Sequence, residues 1–233
     1  MTRGRPDCPL GSRRRSLSAV RATMFPIPLG DDLMAVALLL EQEVEDAIGF
    51  ASSGLEPAEH YEVVAGQFVE EPPLGAREVW IASELTEAFI LFNAGKQLGK
   101  MYEEMLFILK AHPRLRRRPD LAFVSAERWP VNKPAPSGAA WDVVPDLAVE
   151  IISPTDHVDD LMSKIEEYFA AGVRLVWVVY PSVRKLYAYE TPNSIQILDA
   201  GDTLSGGEIL VGFQMPLSRI FVEDSGESGP AVN

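Results

Sequence analysis

PDLAVEIISPTDHVDDLMSKIEEYFAAGVRLVWVVYP, residues 145–181, reads as strand, capped helix and strand. Residues 147 to 152 are mostly aliphatic, Ser153 to Asp156 form a turn and helix-cap cluster, and Gly172 closes a helical apolar period before a second, almost wholly apolar run. Two such strands joined by a helix are expected to pair in parallel with both faces covered, which makes the fold class α/β.

Side chains alternate along the first strand, so Asp146, Ala148, Glu150 and Ile152 share one face and Leu147, Val149 and Ile151 the other. Glu150 therefore projects from the middle of an otherwise apolar strand. A carboxylate there is costly unless it binds a cation or is hydrogen-bonded, so Glu150 is either a site residue or the partner of an internal Arg or Lys. Asp146 is a poor co-ligand for the same ion, because four residues at ~3.3 Å each separate the two Cα atoms by about 13 Å. Asp120, at the start of the preceding strand in RRPDLAFV, comes within reach if the two strands pair in register. An Asp and a Glu on adjacent strands form an oxygen donor set suited to Mg²⁺ that leaves places for water and a phosphate. On the helix, Leu161, Met162, Ile165, Tyr168 and Phe169 make the expected buried arc, with Ser163, Glu166 and Glu167 opposite. Lys164 falls at the edge of the arc, either snorkelling at the surface or reaching over the strand ends.

Working outward, Leu33, Val36, Leu40, Val44 and Ile48 recur at helical spacing behind Asp31 and Asp32, and Gly49 ends that helix. YEVVAGQFVE (61–70) is a hairpin about Ala65-Gly66. A helix follows from about Arg77 to Asn93, with Val79, Ala82, Leu85, Phe89 and Phe92 on its core face. MYEEMLFILK (101–110) is read as strand from its position between helix and strand. Arg114, Arg116, Arg117 and Arg118 crowd before Asp120, the only basic cluster in an acidic body. Residues 184–190 and 194–198 alternate as strands, and 201–207 are read as a Gly-rich turn.

The chain has 233 residues, 47% of them hydrophobic, which suits one domain, residues 31–223, between a basic disordered tail (1–30) and a frayed end (224–233). Met24 stands as an alternative initiator. The net charge is −13 although residues 1–24 hold six arginines against one acid, so the body is more acidic than the total. Such a body repels a phosphate backbone unless a basic strip or a bound cation reverses the field. The single cysteine, Cys8, excludes an internal disulfide framework and fits a cytoplasmic protein. The apolar run Met34 to Leu40 is too short to cross a bilayer, so no membrane partner is expected. His60, His112 and His157 lack zinc-ligand spacing, and no phosphate-cradling glycine loop occurs.

RRPDLAFV (117–124), PDLAVEIISPTD (145–156), the run Lys164, Tyr168, Gly172, Val173, and VWVVYP (176–181) together resemble the Uma-type family of restriction endonucleases, within the PD-(D/E)xK nuclease superfamily. YEVVAGQFVE resembles its hairpin and LVGFQMPLSRIF (210–221) its closing segment, so the likeness spans about residues 58 to 222. It implies a restriction-endonuclease-like core, an α+β mixed sheet flanked by helices, and hydrolysis of DNA phosphodiester bonds dependent on Mg²⁺ or Mn²⁺. Asp120 and Glu150 match the family's acidic pair. Ile152 stands where the superfamily usually has lysine, and Lys164 on the next helix is the relocated candidate. Glu62 in the hairpin matches a recurrent family Glu and is a further candidate ligand. Arg116, Arg117 and Arg118 are the candidate DNA contacts, and a homodimer stays open. The alternative is a catalytically silent nuclease-fold protein acting as a binding or regulatory module.

Overall fold

The computed structural model describes residues 60–109, 115–138, 140–154 and 156–222. The basic tail, the helix expected through residues 33–48, Arg114 and residues 224–233 lie outside them.

A six-stranded sheet carries the architecture, with strands β3 (Gly99–Glu103), β6 (Leu121–Ser125), β7 (Leu147–Ile151), β8 (Leu175–Tyr180), β9 (Lys185–Thr191) and β10 (Ser194–Asp199) in spatial order 10-9-8-7-6-3. Only β7 and β8 run parallel, joined by helix α2 (Val158–Ala171); the other neighbours are antiparallel. Helix α1 (Ala76–Asn93) packs on the opposite face. Alternation sends Leu147, Val149, Ile151, Trp177 and Val179 into the α1 core, and Ala148, Val176 and Val178 into the α2 core. Apart from Glu150 on β7, both strands are therefore apolar along most of their length, as central strands covered on both faces must be. Gly172 caps α2 in the left-handed region at φ 101°, and its N–H and that of Val173 close on Phe169 O and Tyr168 O.

Two smaller sheets are found among the described residues. One has strands β1 (Tyr61–Val64), β2 (Gln67–Glu70), β4 (Phe107–Ile108) and β5 (Arg116–Arg117) in order 2-1-5-4. The expected hairpin is β1–β2, turning through Ala65 and Gly66, both at positive φ. MYEEMLFILK supplies the end of β3 and all of β4, so it is extended in two pieces rather than one. The other sheet pairs β11 (Thr203–Gly206) with β12 (Leu210–Pro216).

Three local expectations are corrected. Residues 201–207 are not a simple turn: 203–206 form β11, where Leu204 is buried and a Cβ on Gly206 would lie 2.6 Å from Leu210 O, so this glycine serves a close strand approach. On α1, Val79 is 48% exposed, and the core face is Ile81, Ala82, Leu85, Ala88 and Phe89; Trp80, Ile90 and Leu91 are also exposed, so apolar residues surround this helix and blur its period. On α2, Met162 is exposed and Glu167 turns inward to an arginine. No helix among the described residues is long and apolar enough to cross a membrane.

Candidate active site

Antiparallel pairing of β6 and β7, with Leu121 opposite Val149, brings Asp120 beside the C-terminal end of β7. There Asp120 Oδ2 accepts the Ile151 N–H at 2.5 Å. Glu150 points from the same strand end toward α2. Its Oε1 accepts the Tyr168 hydroxyl at 2.6 Å, and its Oε2 lies 3.7 Å from Lys164 Nζ. Lys164 and Tyr168 are one helical turn apart, so one face of α2 addresses both oxygens of one carboxylate. Asp120, Glu150 and Lys164, expected as neighbours, are brought together.

A second layer comes from the hairpin sheet. Glu62, fully buried in β1, takes Arg117 Nη1 on Oε2 at 2.5 Å and the Arg118 N–H on Oε1 at 2.7 Å. Lys164 Nζ stands 3.5 Å from Glu62 Oε1 and donates to Glu71 Oε1 at 2.7 Å. Arg117 also reaches Glu167 Oε2 at 2.5 Å, tying β5 to α2. The three arginines do not form one strip. Alternation along β5 turns Arg117 inward, where it is buried between two carboxylates, while Arg118 donates to the Tyr61 and Glu104 carbonyls. Asp146 stays away from this cluster, at the other end of β7.

These groups line a cavity of about 520 Å³ bounded by the hairpin, residues 71–75, the end of β7 and the start of α2, including His157. Burial raises the Asp120 carboxyl well above its ordinary range, and the nearby charge of Glu150 raises it further. Burial likewise raises Glu150, against the pull of Lys164 and the Tyr168 hydroxyl. Glu71 is pushed up to about 7 by burial and by the charge of Glu62. Burial also acts on Glu62, but Lys164 and Arg117 outweigh it and hold that carboxyl low. Lys164 goes the other way: burial opposes its charge, yet Glu150, Glu62 and Glu71 together raise its pKa, so it remains an ammonium.

Five carboxylates (Glu62, Glu71, Asp120, Glu150, Glu167) thus share two cations, Lys164 and Arg117. All-oxygen donors with uncompensated negative charge fit a hard divalent cation. Among the described residues no three His, Cys, Asp or Glu side chains converge as a ready-made ligand set. The pair left for an ion is Asp120 and Glu150, because both oxygens of Glu62 are engaged. Glu71 is the site residue that periodicity misses: it lies in the irregular EEPPLG segment, and its only sequence signal is a carboxylate next to a chain break.

Comparison with known proteins follows the same line. A family model described as "Uma2: Putative restriction endonuclease" matches residues 47–218. Among solved structures, one described as a "putative nuclease belonging to DUF820" from Anabaena variabilis ATCC 29413 superposes with a TM-score of 0.62. It is 15% identical, and the match covers 72% of this chain and 93% of that one, a likeness of fold. No curated protein matches.

Proposed function

The chain belongs to the Uma2 family, and on that premise we propose that it is a nuclease hydrolysing DNA phosphodiester bonds with the help of Mg²⁺ or Mn²⁺. The observation that carries this reading is the meeting of Asp120, Glu150 and Lys164 in one cavity with negative charge in excess. Asp120 and Glu150 are the residues to hold the cation, which when bound supplies Lewis acidity at the scissile phosphate. Lys164 rests on Glu71, and a phosphoryl oxygen that displaces Glu71 meets a fixed ammonium where negative charge develops as the water–phosphorus bond forms and the phosphorus–oxygen ester bond breaks. Glu62, itself held by Arg117, lies 3.5 Å from the same ammonium.

The second reading, a catalytically silent nuclease-fold module, is favoured by one observation. Among the described residues, nine carboxylates line the cavity against two cations, a poor reception for a polyanion unless cations are bound. Cleavage of plasmid and single-stranded DNA with Mg²⁺ or Mn²⁺ separates the two. Wild type cuts, and Asp120→Asn, Glu150→Gln and Lys164→Ala each lose about 100-fold or more in rate. Equal rates across the four proteins would remove the site; DNA binding without any cleavage would favour the module.

A further inference from the structure

Resting on the reading that a divalent cation binds Asp120 and Glu150, we propose that Tyr168 is a positioning residue that makes Glu150 a one-oxygen ligand and so sets the site to prefer Mg²⁺ over Ca²⁺. Asp120 has Oδ2 committed to the Ile151 N–H at 2.5 Å, which leaves Oδ1. Glu150 has Oε1 committed to the Tyr168 hydroxyl at 2.6 Å, which leaves Oε2, and at 3.7 Å Lys164 is too far to hold that atom by a hydrogen bond. Each carboxylate of the pair thus presents one open oxygen.

Tyr168 cannot readily yield. Its ring is fully buried in the α2 core, one turn beyond Lys164, and its hydroxyl finds its acceptor there in Glu150 Oε1. For Glu150 to bind an ion closely through both oxygens, Oε1 would have to share its lone pairs between the ion and the hydroxyl, weakening that hydrogen bond inside the core. Mg²⁺ takes octahedral, one-oxygen carboxylate ligation and keeps several waters, whereas Ca²⁺ takes six to eight oxygens and often a carboxylate bidentately. A site biased toward one-oxygen ligation therefore suits the smaller ion. Side chains that orient a metal ligand through a hydrogen bond typically change metal affinity by about 10- to 100-fold when removed.

The test uses the full chain with Mn²⁺ as a paramagnetic reporter, displaced by Mg²⁺ or by Ca²⁺, in wild type and in Tyr168→Phe, which deletes only the hydroxyl. Tyr168→Phe is expected to lower the Mg²⁺-to-Ca²⁺ affinity ratio by about tenfold with the far-ultraviolet dichroism unchanged. A folded variant with the wild-type ratio overturns the assignment, since a purely structural tyrosine would leave selectivity alone. If Tyr168→Phe fails to fold, the Mg²⁺-loaded infrared difference between wild type and Glu150→Gln decides it: the wide carboxylate splitting of one-oxygen ligation supports the proposal, and the narrow bidentate splitting overturns it. Wild type that binds no Mn²⁺ overturns the cation reading itself, and this inference with it.

Discussion

The two ends of β7 each carry a buried carboxylate on the same face of the strand, and their surroundings differ. Asp146 accepts the Ser125 N–H at 2.9 Å and Arg128 Nε at 2.9 Å, with Arg174 at 3.5 Å. Arg128 goes on to the Val144, Pro145 and Gly172 carbonyls, so two arginines and one carboxylate pin the strand ends and the C-terminus of α2. At the other end Glu150 shares Lys164 with Glu62 and Glu71 and stands beside Asp120. One end has more cation than anion and is a brace; the other has more anion than cation and is open to a ligand. Burial of an acid therefore does not identify a site; the balance of charge around it does.

The contrast is broken most forcefully by exchanging the losses. Glu150→Gln removes activity by the factor given above while relieving like-charge crowding, so its thermal midpoint stays at or above that of wild type. Asp146→Ala does the reverse, costing about 3–5 kcal/mol by stranding Arg128 in part-buried surroundings. Its folded fraction retains the wild-type specific rate. Calorimetric unfolding beside the cleavage assay checks both, and a stable Asp146→Ala would dissolve the comparison.

A middle-sized effect comes from pH. Glu71 carries a folded pKa of about 7 against an ordinary 4.5, raised chiefly by burial. The folded state thus holds a proton that the unfolded chain has lost, and stability falls as pH rises from about 4.5 to 7. Asp120 and Glu150, both shifted upward, act with the same sign. Urea midpoints measured from pH 5 to 8 are expected to decline in wild type and to decline less in Glu71→Gln. Parallel slopes would show that Glu71 does not titrate in this window. The smallest effect belongs to the brace: Gly172→Ala places a Cβ in open space but at φ 101°, at a cost of about 1 kcal/mol in chemical denaturation.

Much of this was legible in the residues. The runs 147–151 and 175–180 are apolar on both faces, which dictates central strands, and Glu150 stands out because nothing else polar interrupts them. Strand pairing brings Asp120 within reach only if the register is right, helix phase leaves Lys164 at the edge of its arc, and it is the family resemblance that selects both. What escaped is set by long-range packing. A two-residue strand such as β5 has no period to detect, so the inward turn of Arg117 could not be told from the outward one of its neighbours. Glu71 sits in irregular chain and reaches the site only because the hairpin folds over α2. Periodicity cannot place Val79, because α1 carries apolar residues all round and the choice of face is made by the sheet beneath it.

The Arg117 guanidinium has a mechanical consequence. It joins Glu62 on β1 to Glu167 on α2 through two ion pairs at 2.5 Å, its own side chain only 6% exposed. The cavity wall and its floor are thus riveted, so the hairpin is not a flap free to swing clear of the helix. Admitting a bulky ligand by rotation would mean shearing that rivet and leaving charges bare.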